Sequence, residues 1–323
     1  MSETAPGPMI GHDAPWREWR AALSGRRMHH AWMLVGREGL GKATFARAAA
    51  TGLVAEPGVP QPGPDHHPDV LWLSPLPANE DEAKKRDDGK PWQRKRNITV
   101  DQVRAMQRRL VTRPTLGARR AVIFDAADML EPASANALLK SLEEPPQGTF
   151  FLLVVHQPGR LLPTIRSRCQ VLRFHPLDLD PLGRALDAAA PDLDPLTREA
   201  AIAVGAGAPG AAIAFAGQGL GKAWAIMRAI VDRGDGDLAL RGDLSAAIGQ
   251  RPDRERQMAA LTAARMVLVE AMARNRNGAA LADAHAALIR LTREAPIYNY
   301  DAGLLMLEIG AILASAHAAA AAR

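Results

Sequence analysis

Short apolar runs alternate with helix-compatible stretches through the first half of the chain, and then the runs stop. Ala31-Trp-Met-Leu-Val35, Asp69-Val-Leu-Trp-Leu73, Ala121-Val-Ile-Phe124 and Phe150-Phe-Leu-Leu-Val-Val155 have the length of buried strands. Lys42 to Ala55 and Ile98 to Leu110 have helical patterns, the second with Thr99 or Asp101 available as its cap. Buried strands separated by helices predict a parallel sheet with helical crossovers, so residues 1–177 are expected to form an α/β domain. Beyond Leu177 only helical patterns occur, separated by Pro and Gly breaks such as Val231-Asp-Arg-Gly-Asp-Gly-Asp237. This predicts a small helical domain over 178–216 and a larger one over 217–323. Two inserts interrupt the first half. Pro57 to Pro68 is rich in Pro and Gly and reads as loop. Asn79 to Asn97 sets Lys84-Lys-Arg86 and Arg94-Lys-Arg96 around Trp92. It reads as a solvated hairpin or flexible loop, with a nucleic-acid contact as the alternative.

Composition narrows the class. Of 323 residues, 47% are hydrophobic and 23% charged, which excludes a disordered or collagen-like chain. Aromatic residues at 4% point to Ala- and Leu-rich helical packing. A net charge of +5 permits a nucleic-acid partner without requiring one. The single cysteine excludes an intrachain disulfide framework and a cysteine zinc module, and suits a reducing compartment. Met1 to Ile10 lacks a signal-peptide pattern. The weakly charged stretches 200–221 and 302–322 are dominated by Ala and hold Pro209, or Glu308 and His317, so neither reads as a membrane span. A cytoplasmic protein with no membrane partner is expected.

The strongest chemical motif is Gly36-Arg-Glu-Gly39-Leu-Gly41-Lys42-Ala43-Thr44, between a predicted strand and a predicted helix. In that context glycines let backbone N–H groups approach phosphate, and a lysine six residues after the first glycine reaches the terminal phosphates. The hydroxyl that should follow the lysine and hold Mg²⁺ is absent, since position 43 is Ala. Thr44 lies about a hundred degrees further round the helix. Gly217-Gln-Gly-Leu-Gly221-Lys222 is similar, but it lacks the first glycine and a preceding strand, and reads as a linker. Asp125 ends the third apolar run, where an acidic residue organises Mg²⁺ in nucleotide hydrolases. The next residue, which should be a water-polarising Glu, is Ala126. After the fourth run, Arg166-Ser167-Arg168-Cys169 places two arginines where one could act on a neighbouring subunit's phosphates.

Together these segments resemble the bacterial clamp-loader subunits of the AAA+ class, most closely the delta-prime family. Further markers are Gly11-His12, His30-Ala31-Trp32, His67-Pro-Asp69, and Asn136-Ala-Leu-Leu-Lys140-Ser-Leu-Glu-Glu-Pro-Pro146. The resemblance covers residues 11 to about 177 and implies an AAA+ phosphate-loop domain, a helical lid and a helical collar that joins subunits into a ring. It implies that Arg168 is an arginine finger acting in trans and that Asp125 is the magnesium-organising residue. Gly36, Gly39, Gly41, Lys42 and Thr44 would form a degenerate phosphate loop. The family's sensor hydroxyl falls on Val155 and its lid arginine on Gly210, so both are lost. The four cysteines that normally precede the His-Pro-Asp marker are absent, and no zinc is expected.

These losses beside a retained finger imply a subunit of the DNA polymerase holoenzyme that assists a neighbour's hydrolysis and does not turn over ATP itself. The gamma/tau type would keep the Thr and Glu, and the delta type would lack Ser-Arg-Cys. Implied partners are the gamma/tau and delta subunits, the sliding clamp and primer-template DNA. Whether ATP with Mg²⁺ binds weakly or not at all stays open on the residues alone. Two other readings remain: a free-standing or gamma/tau-type ATPase, and a sequence-independent DNA-binding protein using the basic insert.

Overall fold

In the computed structural model, residues 9–25, 28–63, 66–90, 92–249, 251–274, 278–298 and 300–321 are described. The chain divides into two compact units, Met1–Pro176 and Leu177–Arg323.

The first unit is a five-stranded sheet with helices on both faces. In chain order its elements are α1 (Asp13–Ser24), β1 (Ala31–Val35), α2 (Lys42–Val54), β2 (Val70–Leu73), α3 (Glu80–Asp87), α4 (Val100–Leu110), β3 (Arg120–Asp125), α5 (Pro132–Glu143), β4 (Thr149–Val155), α6 (Pro163–Arg166) and β5 (Gln170–Arg173). The strand order is β2-β3-β4-β1-β5 and every pairing is parallel. The four apolar runs are β1 to β4, so the α/β expectation holds. Side chains alternate between the two faces, as the strand pleat requires. Met33, Phe124 and Phe151 pack with Val103, Met106, Leu138 and Leu142 of α4 and α5. On the other face Trp19 of α1 meets Trp32 edge-on, with ring centroids 5.4 Å apart, and Phe45 of α2 at 6.2 Å.

Two elements depart from the pattern of apolar runs. A fifth strand, β5, pairs with β1 from Trp32↔Gln170 to Val35↔Arg173. It lies at the sheet edge, so Gln170 and Arg173 are exposed and the apolar run is too short to stand out. The charged insert is also not loop throughout: residues 80–87 form α3. The Asn79 side chain caps it by accepting the Glu82 N–H, with acidic residues in the first turn and basic ones in the last, the order a helix dipole favours. Glu82 then accepts the Gln93 N–H at 2.6 Å and fastens the return of the insert. Of the two caps offered for α4, Thr99 is the one used, in a capping box with Gln102.

The second unit is all helical: α7 (Leu179–Ala189), α8 (Pro195–Gly205), α9 (Pro209–Ala216), α10 (Gly221–Arg233), α11 (Ala239–Ile248), α12 (Arg254–Arg274), α13 (Ala279–Tyr298) and α14 (Ala302–Ala321). One continuous core runs from Leu182 and Leu186, through Trp224 and Leu268, to Leu313. The second phosphate-loop-like sequence is the turn from α9 into α10. Its last glycine, Gly221, meets α8 so closely that a Cβ there would lie 2.3 Å from the Thr197 backbone nitrogen. The glycine serves helix–helix approach. Among the described residues no helix is long and apolar enough to cross a membrane.

Candidate phosphate site and arginine finger

The phosphate loop leaves the C-terminal end of β1, the strand flanked by β4 and β5. Gly36 donates its N–H to the Val155 carbonyl at 3.3 Å, which ties the start of the loop to the end of β4. A Cβ on Gly36 would lie 2.5 Å from the Phe174 carbonyl oxygen, so this position requires glycine on packing grounds. Gly39 and Gly41 have φ of 79° and 81°, the left-handed region that glycine enters without penalty. Gly41 is then the N-cap of α2, and Lys42 is its first residue.

Lys42 is 2% exposed, and its Nζ donates to the Arg37 carbonyl of its own loop at 2.5 Å. Burial lowers its pKa to about 8, against the pull of Asp128, Glu38 and Asp125. Thr44 is exposed on α2 and Ala43 is half-buried.

Asp125 ends β3, and burial raises its pKa despite His156, Arg94, Lys42 and Arg47 nearby. Arg94 belongs to the insert, so that segment returns to the C-terminal side of the sheet. Its bridge to Pro77, just past β2, agrees. Asp128, which sequence reasoning did not single out, is buried and accepts the N–H groups of His156 and Gln157 at 3.0 and 3.1 Å. It thereby joins the segment after β3 to the segment after β4. Val155, where the resemblance expects a sensor hydroxyl, is fully buried and its side chain offers no polar group.

This donor set does not fit magnesium. Ala43 has no side-chain oxygen, both Asp128 oxygens already accept backbone N–H groups, and Asp125 is the one carboxylate left at the strand ends. It does fit phosphate: the glycine loop, the start of α2 and Lys42 are the parts an anion needs. With Ala126 next to Asp125, no carboxylate stands at that position to orient water. Among the described residues no group of three or more His, Cys, Asp or Glu side chains could hold a metal ion.

The His-Pro-Asp marker is structural. His67 Nδ1 accepts the Asp69 N–H at 3.1 Å, and the Asp69 carboxylate accepts the N–H groups of Thr115 and Leu116.

Arg168 follows α6 and is 36% exposed. Its Nη2 lies 2.7 Å from Glu143 Oε1, and its Nη1 donates to the Thr164 carbonyl at 2.9 Å. Arg166, two residues earlier, is exposed. The Cys169 thiol is pushed up by burial to about 12 and is inert at neutral pH. Gly210 sits exposed in α9 of the helical unit.

A family model described as DNA polymerase III, delta subunit, matches residues 11–178, more than half of the chain. The chain belongs to this family. Within it the chain is similar to the delta-prime subunits. It is 38% identical to DNA polymerase III subunit delta′ of Pseudomonas aeruginosa over 64% of this chain and 62% of that one. It is 31% identical to the delta′ subunit of Escherichia coli over 60% of this chain and 57% of that one. The tau subunit of Escherichia coli is 32% identical over 51% of this chain and 24% of its own length. The matched stretches thus span less than two thirds of these relatives. Among solved structures, a gamma subunit-related protein of DNA polymerase III from Thermotoga maritima covers 94% of this chain and all of its own, at 16% identity and a TM-score of 0.48.

Proposed function

We propose that this delta-family chain is a delta-prime-type subunit of a clamp loader, assisting the ATP-driven loading of a sliding clamp onto primer-template DNA. The observation that carries the reading is a split in one unit. The phosphate loop keeps its glycines and Lys42 but has alanine at positions 43 and 126, while Arg168 stands one-third exposed on a separate loop. A chain so built can hold a phosphate group but lacks the groups that would organise a metal and a water around it. Its arginine can still offset charge that develops on phosphates held by another subunit. Its partners are then gamma/tau and delta subunits in a hetero-oligomeric ring, with residues 178–216 as lid and 217–323 as collar.

The test is reconstitution. Mixed with the gamma/tau and delta chains of its own organism, the protein should co-elute in a stable complex, and omitting it should abolish clamp-stimulated ATP turnover. A complex that forms and loads clamps equally well without this chain would overturn the proposal.

A further inference from the structure

Three segments remote in sequence meet at the C-terminal end of α5. His30, just before β1, shares a hydrogen bond of 2.9 Å between its Nε2 and the Leu142 carbonyl. One residue on, Glu143 Oε1 contacts Arg168 Nη2 at 2.7 Å. The Thr164 carbonyl accepts from Arg168 Nη1 at 2.9 Å. The guanidinium is therefore gripped at both terminal nitrogens, by a carboxylate from one element and a carbonyl from another. One contact would leave the group free to turn about its axis; two on separate nitrogens fix its plane. A guanidinium carries five N–H donors, so others stay available.

We propose that Glu143 is a positioning residue for Arg168, setting the plane in which the guanidinium meets phosphates on a neighbouring subunit. This rests on the proposed trans role of Arg168. Glu143 is half exposed, and an ion pair at that exposure contributes little to the fold. Its loss should therefore appear in the rate. A finger that must first be ordered for each turnover loses the advantage of pre-set geometry.

The experiment uses the reconstituted complex, with DNA- and clamp-stimulated ATP turnover as the readout. Glu143→Ala should lower kcat by up to about a hundredfold, the scale of a misplacement of about 1 Å, with KM for ATP and complex assembly unchanged. Glu143→Gln keeps an acceptor oxygen and should recover most of that rate. The double variant Arg168→Ala/Glu143→Ala should be no slower than Arg168→Ala, because Glu143 acts only through the arginine. Full kcat in Glu143→Ala, or a double variant slower than Arg168→Ala by the Glu143→Ala factor, overturns the inference. If Arg168→Ala alone leaves the rate intact, the finger reading fails and this one with it. Loss in Arg168→Ala with none in Glu143→Ala removes only the role of Glu143.

Discussion

The Asp69 carboxylate lies 3.7 Å from the Arg120 guanidinium, with the two side chains only 1% and 4% exposed. Asp69 also accepts the N–H groups of Thr115 and Leu116, at 2.6 and 2.8 Å. Arg120 donates to the carbonyls of Arg109, Thr112 and Arg113. The pair thus clasps the connection from α4 into β3. Removing the acid would leave a buried cation without its counter-charge and two N–H groups without their acceptor. Asp69→Ala should cost about 3–5 kcal/mol of stability, read from urea unfolding of the full chain. A loss below about 1 kcal/mol would show that the clasp contributes little.

ATP turnover by the isolated chain should stay at background. Ala43 and Ala126 remove a metal ligand and a water-orienting group, and such losses each lower rates by orders of magnitude. Lys42→Ala should leave that background unchanged. Ordinary turnover that disappears with Lys42→Ala would contradict this.

Nucleotide affinity should fall as pH rises through about 8. Lys42 has its pKa lowered to about 8 by burial, and a bound phosphate would raise it again. The complex then holds a proton that the free protein releases above pH 8, so binding weakens there and is flat well below it. Titrations with a fluorescent ATP analogue between pH 6.5 and 9.5, compared with Lys42→Ala, would check the slope.

In the reconstituted loader, Arg168→Ala should leave assembly intact while reducing clamp loading and stimulated ATP turnover by about 10³ or more, the scale of a lost arginine finger. Arg168→Lys should recover little, since an ammonium lacks the planar fork. Arg166→Ala is the control, with a milder effect expected. Equal losses in the two alanine variants would count against a specific finger.

Two glycines of the helical unit should respond in opposite directions to alanine. At Gly221 the added methyl would lie 2.3 Å from the Thr197 nitrogen, so Gly221→Ala should destabilise by about 1–3 kcal/mol. At Gly242, inside α11, nothing lies within 4 Å of the added methyl. Gly242→Ala should therefore stabilise by about 0.4–1 kcal/mol. Thermal unfolding of both variants gives the comparison.

The strands legible in the sequence were those whose runs are apolar at every position. β1, β3 and β4 are central and need apolar side chains on both faces, and β2, at one edge, stood out because Val70-Leu-Trp-Leu73 is apolar throughout. β5 did not, because an edge strand can expose Gln170 and Arg173. α3 was hidden within a charge run, although acids before bases behind Asn79 was a usable helix signal. In the site, Gly36 and Lys42 were singled out by spacing, Asp125 by its place at the end of an apolar run, and Arg168 by the family resemblance. Asp128 was not, because its role depends on the N–H groups of His156 and Gln157, which only the folded sheet brings near. The Glu143 contact with Arg168 was hidden for the same reason: the chain crosses β4 and α6 between them.

β5 has Arg168 two residues before its start and Phe174 immediately after its end, and Phe174 is the residue against which Gly36 packs. Position 36 is thus held to glycine by a neighbouring carbonyl, whatever becomes of the chemistry at positions 43 and 126. A lineage could shed every nucleotide from this loop and still be unable to change its first letter. That one glycine answers to the end of the edge strand and not to a ligand.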